Sequence, residues 1–398
     1  MNILHNIYSV GPGSFGLGSV ALNLCREQNE LGNNSVIWCH DTVSDVRWAE
    51  HAGDLPPRRV RQFNYIGPKA IRFSPSMMFA ANGSEGRAFD IVHQHALWLA
   101  NSRITHHLHK HYNVPSVVAP HGSLEPWAVQ RSSWKKRIAL PLYERNNLQN
   151  ASCLHALSEQ EVAGFRDFGL RNPVAVIPNG TSQSWLESVG DSQAFRRRFN
   201  INSEKRIILF LSRITPIKGL PLLIEAMAQI RNELSDWVLV LAGSDEFDHM
   251  REIQEAVVKH RLEKHVVFTG LLVDQVKRDA YASADFFVLP TKREAAPVVV
   301  LEALGAGVPV LTTKGSPWEN LLAYRCGWWT DVASEAIAQA LKDAVNRTPA
   351  ELRSMGERGK ELVADKYTWT ESARMTIKLY EWLLNCTEMP EFVLPPLL

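Results

Sequence analysis

Short apolar segments alternate with amphipathic or polar segments along this chain of 398 residues, and the series runs through twice. Parallel strands require this arrangement, because each must be followed by a crossover, usually a helix, before the next strand can join the sheet. The first series stops at Ile177-Pro178-Asn179-Gly180, a stretch of turn-forming residues, and a second series starts at Arg206. Two complete series, in a chain too long for one ordinary core, predict an α/β protein with two doubly wound, Rossmann-like domains.

The predicted strands are short and continuously apolar, as strands buried on both faces are. They are residues 1–10, 35–40, 90–93, 116–119, 151–156 and 174–177 in the first series, and 206–211, 237–242, 266–269, 286–289 and 308–311 in the second. We therefore expect an N-terminal domain over residues 1–185, a C-terminal domain over 186–369, and a helix and tail over 370–398 that pack back toward the first domain. Such sheets bind ligands at the carboxyl ends of their strands, so the chemistry is expected where the two sets of strand ends face each other across a cleft.

The composition narrows the classes of protein that remain. Hydrophobic residues make up 45% and charged residues 21%, which is typical of a globular protein, and the net charge of +1 gives no overall field for nucleic acid. Residues 1–150 nevertheless hold 15 Lys and Arg against 10 Asp and Glu, which favours an anionic partner for the first domain. Five scattered cysteines, a start unlike a signal peptide and the lack of an apolar run of membrane-spanning length predict a cytoplasmic protein with reduced thiols.

A glycine-rich turn, Gly11-Pro-Gly13-Ser14-Phe-Gly16, lies between the first predicted strand and a helix predicted for residues 19–31. The pattern GxGxxG in this position is typical of dinucleotide-binding folds, and Asp41 follows the second strand where such folds place a ribose-binding acid. An NAD-dependent oxidoreductase is therefore one interpretation. A purely structural turn, or one that brings backbone N–H groups to another phosphate or to a sugar, gives the same pattern.

Two cations follow the first strand of the second series, in the segment Ser212-Arg213-Ile-Thr-Pro-Ile-Lys218-Gly219. At the carboxyl end of a strand they would hold a diphosphate, Arg213 with a planar fork of donors and Lys218 with a point charge. The alternative is a solvated basic loop.

Two glutamates frame the segment Glu294-Ala-Ala-Pro297-Val-Val-Val-Leu-Glu302, which follows the predicted strand 286–289. Pro297 fits the first turn of a helix, which places Glu302 on that helix and Glu294 in the loop before it. The helix N-terminus favours a phosphate group. A carboxylate inside an apolar run is costly to bury without a partner, and the hydroxyls of a ribose would provide one for Glu302. A salt bridge to a buried Arg or Lys is the alternative.

The combination of Arg213 and Lys218 with Glu294-x7-Glu302, together with the pair His121-Gly122 in the first series, resembles the retaining glycosyltransferases of family 4, which have the GT-B fold. The resemblance continues in three short motifs, which are IPNG at 177–180, FTG at 268–270 and YTW at 367–369. It implies a hexosyltransferase that moves a sugar from a nucleotide diphosphate-sugar to a saccharide or lipid-linked saccharide, in bacterial surface polysaccharide or exopolysaccharide biosynthesis.

The resemblance also implies a role for each matching charged residue. Arg213 and Lys218 would bind the donor diphosphate and stabilise the charge that grows on it as the glycosidic bond breaks. Glu302 would bind the ribose hydroxyls, and Glu294 would position the donor sugar. Departure and attack on the same face of the sugar would retain its anomeric configuration, with the leaving diphosphate helping to take the acceptor proton.

The same resemblance places further contacts around the substrates. It implies that the base contacts Leu271 and Leu272, and that the phosphates or the acceptor contact Gly13, Ser14 and Gly16. It also implies that the sugar contacts His121, and that the donor contacts Ala296, Pro297 and Val298. Many relatives have Gly-Phe-Gly where this chain has Ala295-Ala296-Pro297, and a proline offers no N–H donor. A catalytically silent nucleotide-sugar-binding protein is therefore a third interpretation.

No metal cofactor is expected, because the sequence contains no Asp-x-Asp and positive side chains would take the place of a metal ion. His107 and His111 have metal-ligand spacing on a predicted helix, but no nearby carboxylate completes a set, so a polar helix face is the favoured interpretation. His93 and His95 end a predicted strand and are candidate acceptor-side residues, as is Trp127.

The segment from Trp127 to Arg137 mixes tryptophans with cations. It predicts either peripheral contact with the inner face of an anionic membrane or a solvated helix that covers the core. No nucleic-acid partner is expected.

Overall fold

The computed structural model of the chain describes residues 1–11, 14–69, 71–125, 128–129, 133–181, 183–186, 190–294 and 296–397. It divides into two compact units, each with its own sheet. The first unit consists of Met1–Gly180 together with Trp369–Leu398, and the second of Thr181–Thr368. Among the described residues, no helix combines the length and the apolar character needed to cross a bilayer.

The strands are numbered along the chain. They are β1 (Asn2–Asn6), β2 (Asn34–Cys39), β3 (Val60–Gln62), β4 (Ile91–His95), β5 (Ser116–Ala119), β6 (Cys153–Ala156), β7 (Val174–Val176), β8 (Arg206–Leu211), β9 (Trp237–Ala242), β10 (Val266–Gly270), β11 (Phe286–Leu289), β12 (Val310–Thr313), β13 (Gly327–Thr330) and β14 (Val393–Leu394).

The α-helices of the first unit are α1 (Phe15–Glu30), α2 (Val43–Ala52), α3 (Pro75–Asn82), α4 (Ser84–Arg87), α5 (Asn101–Tyr112), α6 (Ser133–Ala139), α7 (Arg145–Gln149) and α8 (Glu159–Asp167), with a π-helix at Leu140–Glu144. Those that follow are α9 (Gln183–Leu186), α10 (Ser192–Arg198), α11 (Leu220–Gln229), α12 (His249–Lys259), α13 (Asp274–Ser283), α14 (Val298–Gly305), α15 (Asn320–Ala323), α16 (Ser334–Val345), α17 (Pro349–Lys366) and α18 (Trp369–Leu383), with 3-10 turns at Pro216–Lys218, Arg231–Glu233 and Glu263–His265.

Both sheets are parallel and doubly wound. The first has the order β14-β7-β6-β5-β4-β1-β2-β3, in which only β14 is antiparallel to its neighbour, and the second has the order β10-β9-β8-β11-β12-β13. In each sheet the order reverses direction beside the first strand of the unit, β1 or β8, which is where such folds bind ligands. The predicted α/β fold with two Rossmann-like sheets is confirmed.

All of the predicted strands are present, and three others were missed. The missed strands β3 and β14 have three and two residues, too few for a periodic pattern, and β13 begins at a glycine. β3, β13 and β14 lie at sheet edges, where one row of backbone groups stays unpaired and apolar character is less necessary.

The last helix belongs to the first unit. Leu379 and Tyr380 of α18 pack in one apolar cluster with Ile3 of β1 and Ile91 of β4. The second unit begins at Thr181, which forms a parallel bridge with the unit's last residue, Thr368. The junction therefore lies between residues 180 and 181, a few residues before the boundary expected from the sequence.

Candidate functional site

The loops at the carboxyl edge of the second sheet pack tightly because two glycines permit it. Gly219 has a φ of 71°, and a Cβ atom on it would lie 2.0 Å from the carbonyl oxygen of Pro290. A Cβ atom on Gly315 would lie 2.2 Å from the carbonyl oxygen of Thr291. No side chain fits at these separations, so the loops after β8, β11 and β12 depend on glycine for their close approach. The candidate side chains of this edge project from these packed loops.

Lys218 and Glu294 form a partly buried ion pair. Lys218 directly precedes Gly219 and its side chain is only 5% exposed. Its Nζ donates to Oε1 of Glu294, whose backbone N–H donates to the carbonyl oxygen of Gly315 at 2.7 Å. The second carboxylate oxygen of Glu294, Oε2, is buried and has no hydrogen-bond partner among the residues that the structure describes. One acceptor position of Glu294 thus remains open for a donor.

Arg213 is the more exposed cation of this edge, with 51% of its side chain accessible. Its Nη1 donates to both carboxylate oxygens of Glu246, at 2.9 and 3.0 Å. The loops that carry the two residues are joined by the N–H of Ile214, which donates to the carbonyl oxygen of Ser244 at 2.8 Å. Glu246 was missed in the sequence because it lies in a polar loop after β9, and only the pairing of the two loops brings it to Arg213.

Glu302 lies on α14 and has two protein partners. Oε1 accepts from Nζ of Lys277 at 2.6 Å, and Oε2 accepts from the hydroxyl of Tyr281 at 3.0 Å. Burial and the adjacent carboxylate together raise the pKa of Tyr281 well above its ordinary value, so the hydroxyl keeps its proton. The salt bridge that the sequence left as the alternative to a ribose is formed here, and Lys277 and Tyr281, both on α13, are residues that sequence reasoning missed.

The helix α14 begins one residue later than predicted. Pro297 has a φ of −70° and a ψ of 108°, so it precedes the helix instead of forming its first turn. Its carbonyl oxygen accepts the N–H of Val300 at 3.0 Å, and a proline suits this position because it needs no N–H partner of its own. Glu294 in the loop and Glu302 on the helix are placed as predicted.

The remaining donor-side candidates differ in exposure. Leu271 is 66% exposed and Leu272 is buried, directly after Gly270 at the end of β10. Pro297 is buried and Val298 is 38% exposed, with Ala296 between these extremes. The candidates Gly13 and Trp127 lie outside the described residues.

The glycine turn of the first unit is held by protein groups. Ser14 precedes α1, is buried, and donates from its hydroxyl to the carbonyl oxygen of Gly11 at 2.7 Å, while Gly16 lies in the first turn of the helix. The carboxylate of Asp41 accepts the N–H of Val10 and the hydroxyl of Ser9, both at 2.6 Å. Asp41 therefore braces the loop itself, which argues against the ribose-binding role that the NAD interpretation requires.

Five histidines form a hydrogen-bonded network in the first unit. They are His5 on β1, His93 and His95 on β4, His121 after β5, and His155 on β6. The strand register places His5 opposite His93, and the rings of His93 and His95 stack with centroids 4.5 Å apart. Desolvation lowers the pKa of His5 and His155 to about 4 and that of His121 to about 3. It also lowers the pKa of His93 and His95 well below the ordinary value, so all five are neutral near pH 7.

The directions of the hydrogen bonds fix the tautomers of the first branch of this network. The carbonyl oxygen of Ile177 can only accept, so Nε2 of His155, 2.8 Å away, carries the proton. Nδ1 of His155 must then accept from Nε2–H of His93 at 3.2 Å. Nδ1 of His93 in turn accepts from the hydroxyl of Tyr380 at 2.7 Å.

Gln28 begins the second branch. Its amide nitrogen lies 3.0 Å from the hydroxyl oxygen of Thr376, which donates its own proton to a backbone carbonyl 2.8 Å away. The amide oxygen of Gln28 therefore accepts from Nε2–H of His5 at 2.8 Å. Nδ1 of His5 accepts from Nε2–H of His95 at 2.9 Å, and Nδ1 of His95 accepts from Nε2–H of His121 at 3.1 Å. Nδ1 of His121 has no partner among the described residues and is a neutral acceptor.

This network corrects the expectation that His93 and His95 contact an acceptor directly. Both are 0% exposed, and both ring nitrogens of each already have a protein partner. His121 is the last histidine of the second branch of the network, and it has a φ of 50° that is uncommon outside glycine. The N–H of the following Gly122 donates to Glu161 at 2.7 Å and so fixes this strained position.

His5, His93 and His95 also bring three ring nitrogens within 4.8 Å of one another, the one such group of potential metal ligands in the described part of the chain. Each nitrogen of these rings is engaged as a donor or an acceptor in the network, so a metal ion would have to replace those hydrogen bonds. His107 and His111 lie on α5 with ring centroids 4.5 Å apart, and no carboxylate joins them in any group of this kind among the described residues.

The chain is similar to known proteins in both sequence and fold. Residues 191–362 match the family model described as Glycosyl transferases group 1, and residues 15–180 match the Glycosyl transferase 4-like domain. The uncharacterized glycosyltransferase MJ1607 of Methanocaldococcus jannaschii is 29% identical over 223 residues, which cover 52% of this chain and 54% of that protein. The lipopolysaccharide 1,2-N-acetylglucosaminetransferase of Salmonella typhimurium is 28% identical over 213 residues, covering 50% of this chain and 54% of that protein.

The alignments thus span about half the length of these two relatives. The fold similarity extends further. The crystal structure of Anabaena Alr3699/HepE in complex with UDP has a TM-score of 0.75 and 18% sequence identity, over 96% of this chain and 100% of that chain.

Proposed function

The chain belongs to the group 1 glycosyltransferases with the GT-B fold, and from that premise we propose that it is a retaining hexosyltransferase that uses a nucleotide diphosphate-sugar. The acceptor we propose is a saccharide or lipid-linked saccharide, in the assembly of bacterial surface polysaccharide or exopolysaccharide. The donor side of this proposal is supported by three ion pairs in the second unit. Lys218 and Arg213 each pair with one carboxylate, and Glu302 pairs with one ammonium group.

A diphosphate would bind by exchange with the protein carboxylates. It would compete with Glu294 for Lys218 and with Glu246 for Arg213, two cations that follow the same strand. As the glycosidic bond breaks, the diphosphate gains negative charge, and preorganised cations stabilise that charge in the transition state. Glu294, with Oε2 already free of a protein donor, would then accept from hydroxyls of the donor sugar.

Glu302 would bind the ribose in the same way. Lys277 and Tyr281 hold its two carboxylate oxygens in one orientation, and each oxygen keeps lone pairs for further donors. On the first unit, the unpartnered Nδ1 of His121 would accept from a sugar hydroxyl. A neutral imidazole suits this role because it accepts a hydrogen bond without placing a cation beside the sugar.

The experiment that tests the donor proposal is hydrolysis of a panel of nucleotide sugars, followed by product release. UDP-sugars come first, because the similar Anabaena protein was solved with UDP. We expect one donor to be hydrolysed and Glu294→Gln to remove most of the activity while thermal stability is retained. Full turnover by Glu294→Gln would contradict the site, and hydrolysis of none of the donors would contradict the function.

Retention has its own test. The C1–O bond to the diphosphate breaks, the acceptor oxygen bonds to C1 on the same face, and the acceptor proton passes to the leaving diphosphate. NMR of the product at early times should show the anomeric configuration of the donor. An inverted centre would contradict the proposal. Activity that persists with excess EDTA would support our expectation that Arg213 and Lys218 act without a metal cofactor.

We also propose peripheral contact with an anionic membrane through the segment from Trp127 to Arg137, in which Trp127 and residues 130–132 lie outside the described residues. Sedimentation with vesicles that contain or lack anionic lipid tests it. The NAD-dependent alternative is disfavoured by Asp41, whose carboxylate is used by Ser9 and Val10. Thermal stabilisation by NAD and not by any nucleoside diphosphate would restore it.

A further inference from the structure

The first unit contains a second candidate site, an apolar cavity of 950 Å³ whose described lining includes none of the five network histidines. Pro68, Ile71 and Phe73 line one part of it, and residues 97–100 after β4 line another. The wall is completed by α6 and the π-helix, which contribute Ile138 and Leu142. The volume is that of a pocket for a small organic molecule, and the lining is mainly apolar.

Several of the lining side chains are unusually exposed for their type. Ile71 is 45% exposed, Ile138 53% and Leu142 69%. Single exposed apolar residues are ordinary, but these three surround one concavity, where a ligand would remove them from water together. The cavity therefore favours a ligand with a substantial apolar part.

Backbone strain marks the same place. Ala96 and Trp98 have φ values of 63° and 73°, which non-glycine residues adopt rarely and at a cost. Trp98 is held in this conformation from both sides. Its N–H donates to the buried carboxylate of Glu144 at 2.7 Å, and its carbonyl oxygen accepts from the hydroxyl of Tyr143 at 3.0 Å.

Glu144 and Tyr143 both belong to the π-helix Leu140–Glu144, a rare element that is enriched at functional sites. The extra residue of the π turn lets one short segment place Leu142 and Tyr143 in the cavity wall and Glu144 in the interior behind Trp98. Two irregular segments, 96–98 and 140–144, therefore build the cavity jointly. A segment selected only for stability would avoid both.

The charges of the lining are of one sign. Arg103 and Lys136 line the cavity, and none of its described lining residues is a carboxylate. The guanidinium of Arg103 lies 5.4 Å from the ring of Phe73, and the ammonium of Lys136 lies 5.5 Å from the ring of Trp98. Cations in the lining of an apolar pocket complement an anionic head attached to an apolar chain.

We propose that this cavity binds the hydrocarbon chain next to the phosphate of a lipid-linked acceptor, with Arg103 and Lys136 at the phosphate. The identity of the ligand as an acceptor rests on the function proposed above. The apolar cavity and the two cations in its lining are observed whether or not that function is correct. The site would hold the lipid part of the acceptor on the first unit and so select lipid-linked saccharides over free ones.

The test uses n-alkyl phosphates of increasing length as probes, below their micelle concentrations, with calorimetry on the full chain. Each added methylene should tighten binding about fourfold until the cavity is filled, since a buried CH₂ contributes about 0.8 kcal/mol. Inorganic phosphate should not bind. An alkyl maltoside of equal chain length should bind about tenfold more weakly than the phosphate, because it lacks the charge that Arg103 and Lys136 complement.

Two variants and a matched control sharpen this. Leu142→Glu places a negative charge, of the same sign as the phosphate, at the cavity and should weaken decyl phosphate binding at least tenfold. Arg103→Gln should weaken the binding of decyl phosphate but not that of the alkyl maltoside. Val43→Glu is the control, because Val43 is also an exposed apolar residue, 56% accessible against 69% for Leu142, and lies on α2 outside the cavity lining. Affinity without chain-length dependence, equal losses in Leu142→Glu and Val43→Glu, or binding only to anionic vesicles would overturn the proposal.

Hydrolysis of the nucleotide sugar, measured with the same preparations, separates this proposal from the proposed function. The cavity variants should keep donor hydrolysis and lose transfer to a lipid-linked acceptor. Intact hydrolysis with no alkyl phosphate binding would overturn the cavity alone. Alkyl phosphate binding without turnover of any nucleotide sugar would overturn the proposed function and leave the cavity as a site for an anionic amphiphile.

Discussion

The two sheets of this protein place polar groups near their strand ends in opposite ways. In the first unit five histidines are joined by hydrogen bonds, and desolvation lowers the pKa of each so that the network is neutral. In the second unit the candidate site residues take part in three ion pairs, Lys218–Glu294, Arg213–Glu246 and Lys277–Glu302. One region is a fixed network without charge, and the other is a set of charges whose partners can be exchanged.

The difference follows from burial. Rings that are fully enclosed, such as those of His93 and His95, lose the solvation that a protonated imidazole needs, and the neighbouring rings supply hydrogen bonds in its place. The cations of these ion pairs stay partly exposed to solvent, and the exposed fraction of the side chain ranges from 5% for Lys218 to 51% for Arg213. A charged ligand can therefore replace a protein carboxylate in the second unit. The histidine network offers no such exchange, because a hydroxyl would meet only the neutral Nδ1 of His121.

The largest expected effect comes from removing the most buried charge of these three ion pairs. Lys218→Ala should lower kcat about 10²- to 10³-fold, because it removes a cation from the leaving diphosphate and leaves the partly buried Glu294 without its partner. Steady-state kinetics with the identified donor measure this. Lys342→Ala, which breaks the exposed ion pair with Glu233, is the control and should leave turnover unchanged. Near-normal turnover of Lys218→Ala would reduce the ion pair to a structural role.

The next effect tests whether the histidine network is neutral. Because the pKa of His155 is about 4 in the folded chain, against 6.5 ordinarily, the unfolded chain binds more protons below pH 6.5. Stability from this group is thus complete above pH 6.5 and is lost as the pH falls toward 4. Glu144 and Glu161 act in the opposite sense, because burial raises the pKa of each to about 7 and their contribution falls as the pH rises from 4.5 to 7.

Replacing one histidine of the network isolates the contribution of that residue to the pH dependence of stability. His155→Gln should reduce the slope of the unfolding free energy between pH 5 and pH 6 by about 1.4 kcal/mol per pH unit, measured by urea titration at each pH. His51→Gln is the control, since His51 is exposed and its replacement should leave the slope as it was. Long-range ¹H–¹⁵N spectra should show all five network rings as Nε2–H tautomers. An Nδ1–H signal from any of the five rings would contradict the hydrogen-bond directions of the network.

The exposed cation of the second unit should matter less than the buried one. Arg213→Gln should lower kcat/KM only about tenfold, because the cation that is removed is half exposed and water partly screens its charge. The loss should shrink as salt concentration rises. Arg251→Gln, which removes an exposed arginine paired with Asp248, controls for the change in net charge. A loss as large as that of Lys218→Ala would show that exposure does not rank these two cations.

The sequence sufficed for the features that depend on neighbouring residues. The predicted strands are present in the predicted order because each has its own local pattern, and the positions of Glu294 and Glu302 follow from the strand β11 before them and the apolar helix that carries Glu302. Pro297 was placed one residue too far into the helix, because a proline fits the position before the helix as well as its first turn.

The partners of the candidate residues were not predictable in the same way. Glu246 and Lys277 lie on other loops and helices, and nothing in the local pattern of either one indicates Arg213 or Glu302. The histidine network is a stronger case. His5 and His155 each occupy one position in an apolar strand, and only the order β6-β5-β4-β1 in space brings them to His93.

The smallest expected effect concerns the group that orients Glu302. Tyr281→Phe removes one hydroxyl donor from the carboxylate while Lys277 remains, so we expect a loss of about 1 kcal/mol in the free energy of unfolding. The donor KM should rise a few fold with kcat nearly unchanged, because a ribose contact is made equally in the ground state and the transition state. Tyr324→Phe removes a comparable hydroxyl from the more exposed Asp365 and should leave KM unchanged. An equal rise of KM in both variants would mean that Tyr281 supports the fold and not the orientation of Glu302.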